Sequence, residues 1–184
     1  EAEITHTSLG AKIRLLQLQK QITKNYLYGE QVISQIKIKE YNVSTEDLQT
    51  TIDSLKDLDV EIKALLEKEL SSDSVETYVE LKHTAINLTK EFREFIRAQL
   101  TISQRQEIRD AIDKKEFAEL EDLNDEIRQA VREFNKQRVL FMLGKLGINN
   151  TELLDKVVSG NITAKELREE IKNAFKSLNK EEKK

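Results

Sequence analysis

Glu80 and His83 stand three residues apart, the Glu-x-x-His spacing with which helical bundles hold pairs of iron or manganese ions. Such a centre needs the same motif on a second helix and two further glutamates. The only other histidine is His6, close to the start of the sequence. Leu81 and Ala85 fall on an apolar stripe, so helical periodicity turns His83 away from it, towards solvent. A glycine-rich phosphate loop, a nucleophile elbow and a Ser–His–Asp set with usable spacing are all missing. Glu119, Glu121, Asp122, Asp125 and Glu126 form an acidic run, but no glycine-bearing turn makes it a calcium loop. The sequence therefore predicts a protein that is not an enzyme, with no catalytic, cofactor-binding or metal-ligating residues and no cofactor.

A different chemistry is written in four Asn-x-Ser/Thr sequons, at Asn42, Asn87, Asn149 and Asn161. Chance would give roughly one. Read as N-glycosylation acceptors, they predict an exported glycoprotein. They read equally well as helix starts, where Asn and Ser/Thr serve as caps. Three of the four sit at expected helix starts, and only Asn87 falls mid-helix. The chain begins at Glu1, not Met, as a processed or trimmed terminus would.

One short stretch, Leu100-Thr101-Ile102-Ser103-Gln104-Arg105-Gln106-Glu107-Ile108-Arg109, resembles the LTxxQ motif of periplasmic Spy/CpxP-type helical chaperones. The resemblance covers ten residues. It implies a cradle-shaped helical dimer that holds unfolding clients without ATP. Arg105 and Arg109 lie four apart and share a helix face, with Ile102 and Ile112 nearby. These four are the candidate client-binding residues: basic heads to draw acidic clients, apolar groups to hold them. Thr101 and Gln104 also have the spacing of a capping box, which would make the motif a helix start.

The elements that must position these groups are helices. The 184 residues contain no proline, five glycines, 35% charged residues and 5% aromatic residues. Proline interrupts helix interiors, so its absence favours long helices. A first helix is expected from Ser8 to Glu40, with Leu15, Leu18, Ile22, Tyr26, Ile33 and Ile36 on one stripe and Gly29 among them. Ser44 and Asp47 predict a capped second helix ending near Leu70. Ser71-Ser72-Asp73-Ser74 predicts a turn before a third helix, which carries Leu81, Ala85, Leu88, Phe92 and Phe95. From Leu120 a heptad runs through Leu123, Ile127, Ala130, Phe134 and Phe141 to Gly144 and Gly147. Its phase breaks at Asp113-Lys114-Lys115-Glu116, which reads either as a fresh helix start or as the charged face of one unbroken helix. Asn149 and Thr163 are expected to cap two short C-terminal helices, separated by Gly160. The fold class is thus all-α: an antiparallel four-helix bundle of long amphipathic helices over 1–147, with a C-terminal helical hairpin and charged tail over 148–184.

Net charge is −4, which does not favour nucleic acid as a partner. The first helix is rich in Lys and the second in Asp and Glu, a contrast that two neighbouring helices of opposite sign would explain. Contact of the basic first helix with a membrane surface is the sharper alternative. No stretch is apolar enough to span a membrane, and no cysteine is present. The functional expectation is a structural or protein–protein interaction protein, binding a protein partner or itself. It would be extracellular, periplasmic or at the cell surface, with the cytoplasm as the other compartment. The alternative is an ATP-independent holdase like the Spy/CpxP-type chaperones.

Overall fold

A computed structural model describes residues 2–68, 74–112, 117–148 and 150–181. Among them are seven helices and no strand: α1 (Ala2–Ile38), α2 (Glu46–Leu66), α3 (Ser74–Gln99), α4 (Ile102–Ile112), α5 (Ala118–Lys145), α6 (Thr151–Ser159) and α7 (Ala164–Glu181). The all-α expectation holds. The Ser71–Asp73 turn, the Asp113–Glu116 tetrapeptide and Asn149 lie outside the described residues.

The first helix is the hub, packing against α2, α3, α4 and α5. Its 37 residues contain no proline to stop it, and it starts at Ala2, before the expected Ser8. One stripe, Leu15, Leu18 and Ile22, is buried with Leu55, Leu58 and Ile62 of α2 and Leu81 and Ala85 of α3. Further along, Val32, Ile33 and Ile36 meet Leu48 and Ile52 of α2, Phe92 of α3, and Ile108 and Ile112 of α4. A second face carries Leu16 against Leu123 and Ala130 of α5. Each such aliphatic side chain contributes about 1.5–3 kcal/mol on burial, so α1 holds most of the long-helix framework together. The residue pairings give the directions. Gly29 abuts Ile52 and Thr23 bonds Asp59, so α2 runs antiparallel to α1. Asn25 bonds Thr89 and Tyr28 meets Phe92, so α3 runs parallel to it.

Among the described residues, three helix ends are closed by the same double hydrogen bond, in which a left-handed residue lets the next N–H reach back five positions. At the end of α5, Gly147 (φ 66°) donates to Gly144 O and Ile148 donates to Leu143 O. Ile148 and Leu143 are both buried, the apolar contact that accompanies this motif. Gly160 (φ 72°) repeats the arrangement after α6. After α1 the left-handed residue is Glu40 (φ 52°), with Tyr41 N–H on Ile36 O at 3.0 Å.

The expected cap of α2 moves. Thr45, not Ser44, precedes α2, and its side chain makes no capping bond. Val43 and Leu48 still pack into one core cluster, so apolar packing fixes this entry without the polar box. Asn150 caps α6, its Oδ1 accepting from Leu153 N–H at 3.2 Å. One unbroken helix does not cover this stretch: Phe117 is extended, and α5 starts after it at Ala118. At the C-terminus, Leu153 and Val157 of α6 are buried with Leu143 of α5 and Ile148, and Leu167 and Ile171 of α7 pack against them.

Candidate binding groove

One buried carboxylate sits inside the framework. Asp59 falls on the α2 core stripe 48-52-55-59-62 and is 4% exposed. Thr23 Oγ1 donates to it at 3.2 Å, and Lys63, one turn on, reaches its other oxygen at 2.6 Å. That hydrogen bond holds the Lys63 ammonium above its ordinary pKa. Burial, and then the Asp59 charge, push the Tyr26 phenol up as well. Both carboxylate oxygens are satisfied from within the chain, so Asp59 is a structural group.

The arrangement that remains open to a ligand lies where α1, α3 and α4 meet. The α1–α3 spacing is set by Asn25 Nδ2 donating to Thr89 Oγ1 at 2.8 Å. Below it, Tyr28 and Phe92 stand edge to face, ring centres 6.3 Å apart at 67°. The chain turns at Leu100, which is buried, and restarts as α4. Here the sequence is followed closely. Thr101 N–H donates to Gln104 Oε1 at 2.9 Å, and Gln104 N–H donates to Thr101 Oγ1 at 3.3 Å, a complete capping box. The far side of α4 is clamped to the end of α1: Glu107 accepts from Tyr41 Oη at 2.9 Å and from Lys39 Nζ at 3.3 Å. Those donors, the Tyr41 hydroxyl first, draw the Glu107 carboxyl below its ordinary pKa.

With α4 so fixed, Arg105 and Arg109 line a cleft of about 480 Å³, opposite Arg93 and Arg97 of α3 and Lys24 of α1. Its floor is apolar, formed by Val32, Phe92, Ile96, Leu100 and Ile108 beside Tyr28. No acidic side chain lines it among the described residues. Arg105 Nε is buried and has no hydrogen-bond partner there. A second cleft, of about 640 Å³, continues along the same α1–α3 seam, sharing Asn25, Thr89, Arg93 and Arg97 and adding Lys82, Lys90 and the exposed Ile86. Glu94, its one described acid, lies 3.8 Å from Lys90.

The four candidate client-binding residues separate. Arg105 and Arg109 line the cleft together. Ile102 is 79% exposed and does not line it, while Ile112 is 3% exposed and belongs to the core. Arg93, Arg97 and Lys24 were missed by the sequence reading. Their signal was two arginine pairs, each four apart, on either side of the Leu100 turn. Elsewhere, Glu80 and His83 are exposed on α3, and no cluster that could hold a metal ion occurs among the described residues. Asn42, Asn87 and Asn161 are exposed, Asn87 in mid-α3. Among the described residues no helix is long and apolar enough to cross a membrane. The chain matches no protein-family model, no curated protein and no solved structure.

Proposed function

We propose that this is a non-enzymatic protein–protein interaction protein. In this reading α1, α2, α3 and α5 are the four long members of an antiparallel bundle, α6 and α7 are its C-terminal hairpin, and the α1–α3–α4 groove is the partner site. The groove is the observation that supports the reading most: an apolar floor edged by polar heads, on rigid helices. The three exposed sequons favour an exported or cell-surface protein, and the intact mass of the natural protein tests that reading through its glycans. The docking test is site-specific photo-crosslinking from Ile86, with Val60 on the outer face of α2 as control. A defined adduct, identified by mass spectrometry and formed from Ile86 but not Val60, is expected. Equal adducts from both positions, or none, would remove the groove from consideration.

The second reading is an ATP-independent holdase like the Spy/CpxP-type chaperones. It is favoured by the Leu100–Arg109 motif and by the presence of Arg105 and Arg109 on the groove. Against it, Thr101 and Gln104 are occupied in capping α4. Suppression of the aggregation of a denatured client at near-equal stoichiometry, lost on changing both arginines to Glu while helicity is kept, would put this reading first.

A further inference from the structure

We infer that the groove takes an acidic amphipathic helix of a separate protein, whose carboxylates seat on Arg93, Arg97, Arg105 and Arg109. This rests on the reading of the groove as a partner site and adds the chemistry of the occupant.

The charge pattern comes first. Four guanidinium groups and Lys24 converge on one cleft with no acid lining it among the described residues. Like charges held this close oppose folding unless an anion compensates them. Some cations elsewhere are matched locally, among them Lys156 with Glu152, Arg128 with Asp125, Lys63 with Asp59 and Lys56 with Glu30. The groove gathers five cations on one cleft without such a match among its described lining residues, and its pattern is complementary to carboxylates.

Arg105 supplies the second observation. Its Nε is shut off from solvent without an acceptor, and an unmet buried donor is costly. With a turn of the Arg105 side chain towards the cleft, an entering carboxylate could accept from Nε and a terminal nitrogen together, the bidentate geometry that guanidinium favours.

Shape selects the helix. The groove follows α1 from Gln17 to Val32, a length of about 22 Å at 1.5 Å per residue, or four helical turns. Its apolar floor suits a Leu or Phe stripe at helical spacing, flanked by acids. A nucleic acid fits less well. The Tyr28 and Phe92 rings are turned on each other and offer no stacking platform, and the chain as a whole carries −4. A lipid surface would present its phosphates on a plane, whereas these arginines edge a recess between helices.

The test uses the whole 184-residue chain and labelled helical peptides of about 18 residues with one Leu/Phe stripe. Three versions carry Glu, Gln or Lys beside that stripe, and binding is read by fluorescence anisotropy. The Glu peptide should bind, and the Gln peptide should bind at least about tenfold more weakly. The exposed double variant R97Q/R109Q should lose about the same factor. R168Q, on the outside of α7, should lose nothing, and circular dichroism should show all variants equally helical. Equal binding of the Glu and Gln peptides overturns the carboxylate inference and leaves the groove as a docking site. Binding of none of the three overturns both readings. Tighter binding of a single-stranded oligonucleotide or of phosphatidylserine vesicles, lost in R97Q/R109Q, overturns the peptide in favour of that ligand. A dimer in sedimentation that R97Q/R109Q dissolves shows the occupant to be a second copy, which overturns the separate partner.

Discussion

Gly29 of α1 lies so close to Ile52 of α2 that a β-carbon at position 29 would sit 2.8 Å from both Cγ1 and Cδ1 of that isoleucine, and 3.0 Å from a ring carbon of Phe92. The close approach of three helices depends on a missing methyl group. Ile52 is fully buried in the core cluster shared by α1, α2, α3 and α4, and close-packed interiors resist such a shift. Gly29→Ala should therefore destabilise by about 1–3 kcal/mol despite the better helix propensity of alanine. Gly144, in the last turn of α5, meets nothing within 4 Å. There the same change should stabilise by about 0.5–1 kcal/mol. Urea denaturation of the two variants gives the signs directly, and two shifts of the same sign would refute the account.

Thr23 and Asp59 should be strongly coupled. Thr23→Val leaves a buried carboxylate short of a donor, and Asp59→Leu leaves a buried hydroxyl short of an acceptor, each costing about 1–3 kcal/mol or more. The double variant Thr23→Val/Asp59→Leu removes both polar groups, while Lys63, more than half exposed, can turn to water. It should be clearly more stable than the sum of the singles implies. A double-mutant cycle with additive losses would show the pair to be independent.

Glu40 occupies a left-handed conformation that favours glycine. Glu40→Gly should stabilise by about 1 kcal/mol, read as a rise in the urea midpoint without a change in slope. A loss would mean that the Glu40 side chain does something there beyond filling the turn.

The capping box predicts that Thr101→Ala costs about 1 kcal/mol. Thr163, which forms the same reciprocal pair with Glu166 at 2.8 and 3.2 Å, should cost as much when changed to Ala. Thermal melts of both variants, compared with Ser44→Ala, check this. Ser44→Ala should be nearly silent, because the structure gives α2 no side-chain cap.

Acid should weaken the fold through Glu107, Glu152 and Glu166. Hydrogen bonds from Tyr41 to Glu107, from Lys156 to Glu152 and from Thr163 to Glu166 are the leading causes that hold all three carboxyls below their usual 4.5. A depressed folded-state pKa means that the unfolded chain takes up the proton first as pH falls. The stabilisation is then full above the ordinary carboxylate pKa and is lost as pH drops through the folded values. Melting temperature should be flat near neutrality and fall below about 4.5. Glu107→Gln should lower the neutral plateau and shrink that fall. An unchanged acid slope would show the α1–α4 clamp to be energetically silent.

Much of the architecture was legible in the sequence, because it is local. The stripes of α1, α2 and α3, the Thr101 and Thr163 boxes and the glycines at 147 and 160 depend on neighbours within one or two turns. What escaped depends on placement. Asp59 was readable in principle, since it stands four after Leu55 and three before Ile62, yet its type suggests a solvated face. Ser44 has the right chemistry for a cap, but the turn led by Glu40 and Tyr41 delivers Thr45 instead. The groove escaped most fully. Arg93 and Arg97 join Arg105 and Arg109 only because the chain bends at Leu100 and Glu107 ties α4 to the end of α1.

The position of α1 at the centre also sets a schedule for folding. Its Leu16 is covered by Leu123 and Ala130, residues made more than a hundred positions later. At roughly 5–20 residues per second of synthesis, that face stays bare for about 5–20 seconds after it leaves the ribosome. The α1–α2 hairpin has its partner within reach almost at once and can close early. The growing chain therefore passes through a half-built stage in which a finished hairpin shows the Ile13–Leu16 surface to its surroundings until α5 arrives to cover it.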